Sequence, residues 1–135
     1  MRTTGTGYDD TAKLLLRCTV GGLMLFHGIA KLAHGVSHIE GMFTNAGLPG
    51  FIAYGAYVGE VLAPLMLIVG FRVKIAALLI IATMIGAIRV AHSGDIFAVT
   101  KQGAWAIELP MFYLLGALTV FLLGAGKYSV ERYKK

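Results

Sequence analysis

Charge is scarce in this chain: Asp, Glu, Lys and Arg make up 14% of its 135 residues, against roughly 25% in an ordinary soluble domain. So few charges cannot clothe a water-facing surface. Cysteine is scarcer still. The single Cys18 excludes an intramolecular disulfide and a CxxC redox pair, so any redox chemistry here needs a bound group or a second chain. No basic stripe interleaved with exposed aromatics is present, which argues against nucleic acid as a partner despite a net charge of +5. Apolar residues are what the chain has in excess, at 57% with a mean hydropathy of +0.74. A single soluble domain of this length could not hide that much apolar surface, so the lipid bilayer is the expected solvent and partner.

Four apolar runs, at about 12–33, 51–71, 73–91 and 104–123, each approach the roughly 20 residues that cross a hydrocarbon core about 30 Å thick. The third is the strongest, carrying no charge from Ile75 to Ile88. The first is interrupted by Lys13, Arg17, His27 and Lys31, whose cations sit near its ends and can snorkel to the interface. It is read as a span and not as a cleaved leader, since acidic Asp9 and Asp10 precede it and no small-x-small site follows. The expected fold is therefore all-α: an integral membrane four-helix up-down-up-down bundle forming one transmembrane domain over residues 1–135. In the first outer connection, Val36, Ile39, Phe43 and Ala46 recur at helical spacing before Gly47 and Pro49, which predicts a short interfacial helix. Ser93 to Gly103 reads as a polar loop.

Basic residues set the orientation. Arg2, Lys13, Arg17, Arg72, Lys74, Lys127, Arg132, Lys134 and Lys135 fall on the side of the termini, and only Lys31, Arg89 and Lys101 on the other. By the positive-inside rule both termini are expected in the cytoplasm.

Ionisable residues within apolar spans are expensive and therefore mark candidate sites. At about 100° per residue, Lys13, Arg17, His27 and Lys31 form one stripe on the first helix, and Gly21 and Gly28 beside it permit close approach of another helix. Glu60 stands roughly 14 Å into the second span at 1.5 Å per residue. Pro64 removes the N–H that Glu60's carbonyl would accept and should kink the helix there. With neighbouring spans antiparallel, His27, Lys31, Arg89, His92, Trp105 and Glu108 share one level in the outer half, with Glu60 beneath. The cations Lys31 and Arg89 then balance Glu60 and Glu108. Lys31, Arg89 and Trp105 also suit interfacial anchoring, and Arg17 is expected to snorkel inward or to meet Glu60 across the bundle. His34 and His38 are spaced as a helical metal pair, but the glycine and serine between them weaken that reading, and no metal site is inferred.

His27-Gly28-x-x-Lys31, Gly47-Leu48-Pro49, Glu60, Gly70-Phe71-Arg72, His92 and Gly124-Ala125-Gly126-Lys127-Tyr128-Ser129, in this order and spacing, resemble the DoxX family of small bacterial membrane proteins. The likeness covers nearly the whole chain and departs at Ala125, where the family usually has proline. The resemblance implies a four-helix protein of the bacterial inner membrane, similar to the membrane subunit of thiosulfate:quinone oxidoreductases. The leading expectation is an oxidoreductase subunit holding a quinone in the outer-half pocket. Glu60 and His27 would relay protons, and Lys31, Arg89, His92, Trp105 and Glu108 would bind the ligand. The chain carries no flavin or nucleotide fingerprint, so a redox partner protein would bring the electrons. The alternatives are a non-catalytic binding or assembly component, a small transporter that would require a homo-oligomer, and a haem protein ligated by His27 and His92.

Overall fold

The computed structural model describes residues 7–134. Arg2 and Lys135 of the charge count, and the side chain of Lys134, lie outside the described residues. The protein is all-α, with no β-strand among the described residues. Helix α1 spans Gly7–His34 and α2 spans Ser37–Asn45. A composite helix over Gly50–Val69 follows, and α5 (Val73–Ala91) and α6 (Glu108–Leu123) complete the set. The composite is built from a 3-10 turn at Gly50–Tyr54, the short α3 at Gly55–Tyr57, a π-turn at Val58–Leu62 and α4 at Ala63–Val69. Three of these, α1, the composite and α5, are long and apolar enough to cross a membrane, while α6 is shorter.

Helix α1 has Asp9 and Asp10 in its first turn and Lys31 in its last, charges that complement the helix dipole at both ends. Gly35, at φ 77°, ends it. The composite ends at Gly70 (φ 77°), where the amides of Gly70 and Phe71 both donate to the carbonyl of Met66. Helix α6 begins at Glu108 and not at Ala104, because the chain before it is held in another structure. Val99 and Trp105 form an antiparallel bridge, Ala106 N–H donates to Ala98 O, and the indole Nε1 of Trp105 donates to Ile96 O at 2.6 Å.

The core runs along the inner faces of all four long helical segments: Val20 and Met24, Ala63 and Leu67, Ala76, Ala77, Ile80 and Met84, and Tyr113, Ala117 and Val120. Many large apolar side chains point outward, among them Phe26, Leu32, Leu62, Ile85, Phe112 and Leu122, as lipid-facing residues do. Lipid offers no hydrophobic drive for helices to associate, so association rests on close packing. Small residues supply it here. A Cβ on Gly21 would lie 2.8 Å from the carbonyl oxygen of Pro64, and one on Gly59 would overlap the side chain of Thr83.

The two ends of the bundle differ. One, the loop end, carries α2 and the loop between α5 and α6. At the other, the tail end, Lys127 N–H donates to Asp10, Glu131 N–H donates to Gly70 O, and the Glu131 carboxylate accepts from Val73 N–H at the start of α5. Arg17 neither snorkels nor reaches Glu60. It is fully buried, donating from Nη1 to Leu67 O at 2.8 Å and from Nη2 to Tyr128 O. It thereby satisfies a carbonyl in the last turn of α4 that no helical N–H reaches and ties the tail to the bundle.

Candidate functional site

Glu60 is placed by a defect in its own helix. Proline at 64 has no N–H for the carbonyl of Glu60, and the backbone widens there into a π-turn in which Ala63 N–H reaches back to Val58 O. That carbonyl of Glu60 then lies directly against Gly28 of α1, so closely that any Cβ at 28 would overlap it. One turn along α1 from Gly28, the ammonium of Lys31 donates to the Glu60 carboxylate as an ion pair. Glu60 is 5% exposed. The end of α1 is fixed further because Lys31's carbonyl accepts from Gly35 N–H at 2.7 Å and from the Tyr57 hydroxyl at 3.3 Å.

The pair stands between two cavities. The larger, about 660 Å³, is lined by Lys31 and Glu60 at its polar edge. Elsewhere its wall is apolar or small: Ile39, Met42 and Phe43 of α2, Ile52 and Val58 of the composite, and Leu79, Ala82 and Val90 of α5. Thus the amphipathic α2 expected from the sequence turns its apolar side onto a chamber. The smaller cavity, about 160 Å³, is lined by Glu60, His27, His92 and Tyr113 together with Met24, Met84, Ala87, Leu109 and Pro110. Tyr113 is buried and meets His27 edge to face at 5.7 Å and 86°. His92 caps α5 with a partly exposed side chain whose Nδ1 is itself shielded from solvent, 3.5 Å from the Asp95 carboxylate and without a hydrogen-bond partner.

The residues singled out from the sequence therefore fall into three places. Lys31 and Glu60 meet directly, and His27 and His92 join Glu60 around the smaller cavity. Arg89, Trp105 and Glu108 line neither cavity and are exposed, with Trp105 engaged in its loop. Sequence reasoning passed over Tyr113, Tyr57 and Thr83. A lone aromatic or threonine in an apolar run is indistinguishable from packing, whereas Pro64 did signal the disturbed helix at Glu60. Among the described residues no cluster of three or more His, Cys, Asp or Glu could hold a metal ion.

Chemically, Lys31 carries three N–H donors and spends one on Glu60, leaving donors at the edge of an apolar chamber. Among the described residues, Glu60 is the only carboxylate shared by the two cavities. Its pairing with Lys31 offsets part of the cost of an isolated charge in an apolar span.

The model of the DoxX family matches residues 12–93, a stretch that takes in Gly28, Lys31, Glu60 and His92 but not Tyr113. A protein of Bacillus subtilis (strain 168) named "Putative oxidoreductase CatD" is 33% identical over 79 residues, covering 58% of this chain and 58% of that protein. The aligned stretch is thus less than two thirds of the relative's length. No solved structure matches.

Proposed function

The chain belongs to the DoxX family, and on that premise we propose that this multi-pass membrane protein is the ligand-binding subunit of a membrane oxidoreductase, taking a quinone in the larger chamber. In this reading α1, the composite helix, α5 and α6 cross the bacterial inner membrane as an up-down-up-down bundle with the tail end in the cytoplasm. A separate redox protein supplies electrons, consistent with a chain that holds one cysteine.

The observation that carries the reading is an ion pair between the buried Glu60 and the half-buried Lys31 on the wall of a largely apolar cavity of about 660 Å³. That volume lies within the range of about 300–1,000 Å³ typical of small-molecule sites, which combine apolar walls with a few convergent polar groups. A quinone has flat apolar rings and carbonyl acceptors, and supplies two-electron, two-proton redox chemistry when bound. Lys31 would donate to one of its carbonyls, Glu60 would pass protons, and the apolar residues of α2 and α5 would hold its ring and tail away from water. His27 and His92 reach the ligand through Glu60. Arg89, Trp105 and Glu108 surround the loop end without touching it in this arrangement.

Decylubiquinone titration in detergent tests the reading. Wild-type protein should bind saturably, and Lys31→Met should weaken binding about 10- to 100-fold, as expected for a lost charged hydrogen bond of about 1.5–3 kcal/mol. Glu60→Gln should lose proton-linked reduction when the redox partner is present. Absence of saturable binding by the wild type, or equal affinity in Lys31→Met, would overturn the proposal and leave a non-catalytic binding or assembly component as the better account.

A further inference from the structure

Two cavities touching one carboxylate invite the question of why they are separate. The larger is apolar apart from Lys31, Glu60 and Thr83, whose hydroxyl is spent on Leu79 O, whereas the smaller gathers two imidazoles, a phenol and the same carboxylate into about 160 Å³. At about 30 Å³ per molecule, that is room for roughly five waters, with polar partners on several walls. Its rim reaches the loop end, since His92 caps α5 and Leu109 lies in the first turn of α6. Among the described residues, only Glu60 and Ala87 line both cavities.

We propose that the smaller cavity is an aqueous proton port, in which His27 and His92 exchange protons with water at the loop end and Glu60 hands them across to whatever occupies the apolar chamber. The inference rests on the ligand reading above, because a port needs a recipient. Among the described residues, the titratable groups around Glu60 are Lys31 and His27 from α1, His92 from the end of α5 with Asp95 beyond it, and Tyr113 from α6, while the Tyr57 hydroxyl of its own helix is spent on the Lys31 carbonyl. Lys31 sits on the ligand side of Glu60. His27, His92 and Tyr113 sit on the other. The Glu60 carboxylate takes a proton from a port water or imidazole, whose O–H or N–H bond breaks, and passes it to the ligand, so that it returns to the ionised state paired with Lys31 while the donor is reprotonated from water at the loop end.

Cysteine access separates the chambers experimentally. Met84→Cys and Leu109→Cys line the port, Gly86→Cys lines the larger chamber where a Cβ has open space, and Ile80→Cys sits fully buried in the core one turn below Met84. All are made in the full chain with Cys18 replaced. A hydrophilic methanethiosulfonate attacks the thiolate, which forms in water and not in apolar surroundings, so the port positions should react about tenfold or more faster than position 80. Decylubiquinone should protect position 86, which is read with the membrane-permeant N-ethylmaleimide because its chamber is apolar, and leave positions 84 and 109 reactive to the methanethiosulfonate. Unreactive port positions in monodisperse protein, or equal protection of 84, 109 and 86, would overturn the inference. Loss of protection at 86 alone would strike the ligand reading, while reactivity at 84 and 109 still decides whether the port holds water.

The protonic half is read in proteoliposomes carrying a pH step. The apparent Kd for decylubiquinone should follow the pH on the loop-end side and ignore the other, and Glu60→Gln should abolish the dependence. Dependence on the tail-end side, or none in the wild type, would overturn it.

Discussion

Two glycines on the same helix give opposite expectations for the same substitution. In Gly22→Ala the new methyl meets nothing within 4 Å, so the change should register only as improved helix propensity, a gain of about 0.8–1.0 kcal/mol. In Gly28→Ala the propensity gain is the same, but the methyl overlaps the Glu60 carbonyl oxygen and falls 2.6 Å from its carbon and 2.7 Å from Val61 Cγ2. Two of those three atoms are backbone, so no rotamer change relieves them and the composite helix must move away from α1. Overpacking of this kind costs about 1–3 kcal/mol, and the rigid neighbour argues for the upper part of that range. Comparing the two variants cancels the propensity term and leaves the contact. Thermal unfolding in detergent, followed by circular dichroism, should place Gly22→Ala at or above wild type and Gly28→Ala below Gly22→Ala by about 1–3 kcal/mol. Movement of Glu60 away from Lys31 should accompany the loss. Equal stabilities for the two variants would refute the close approach on which the placement of Glu60 depends.

Arg17→Lys keeps the charge but cannot span Leu67 O and Tyr128 O as the guanidinium fork does. It should cost about 1–3 kcal/mol for a buried acceptor left unpaired and release the tail, seen as faster proteolysis after Leu123. For orientation, single cysteines at Ser37, Ser93 and Lys127 with Cys18 replaced should be labelled by an impermeant thiol reagent in intact cells at 37 and 93 but not at 127, and the reverse pattern would invert the topology. Lys127 is the better reporter than Ser129, which is buried against Gly126 O. Trp105→Phe deletes the indole hydrogen bond to Ile96 O. It should loosen the loop between α5 and α6 toward proteases, while decylubiquinone affinity stays within about twofold because the ring lines neither chamber.

The helices were legible because a charge-free run such as Ile75 to Ile88 has few other uses, and α2 because its apolar positions recur at helical spacing. Glu60 stood out for the same reason reversed: a carboxylate in an apolar run needs a partner, and proline four positions on must disturb the helix. Less legible was anything set by contacts remote in sequence. Arg17 reads as a snorkelling cation because a cation's partner in a span is expected to be water or a carboxylate. Its actual partners are main-chain carbonyls, one contributed by the tail at Tyr128, and a carbonyl leaves no mark on composition. The loop before α6 reads as polar and unstructured because a single Val99–Trp105 bridge is too short to show alternation. That bridge takes Trp105 out of the polar cluster and delays the start of α6. The division of one expected pocket into two cavities depends on where the Glu60 side chain lies, which the π-turn decides and no spacing rule reveals.

A structural ion pair and a working site make different demands on the same turn. For stability alone, an apolar side chain at position 60 packed against an apolar one at 31 would serve at least as well, since buried pairs are often no better than well-packed hydrophobic replacements. The chain instead combines a proline that withholds a hydrogen bond, a π-turn that widens the helix, and a glycine on α1 that lets the freed carbonyl come close. Each of these lowers helical stability where it stands. Their shared consequence is geometric: they set Glu60 at the junction of a large apolar chamber and a smaller mixed one, with a single cation on one side and two imidazoles and a phenol on the other. A pair that served only to hold α1 to the composite helix would need neither space beside it. The cavities, more than the ion pair, therefore favour the ligand-site reading over a purely structural one.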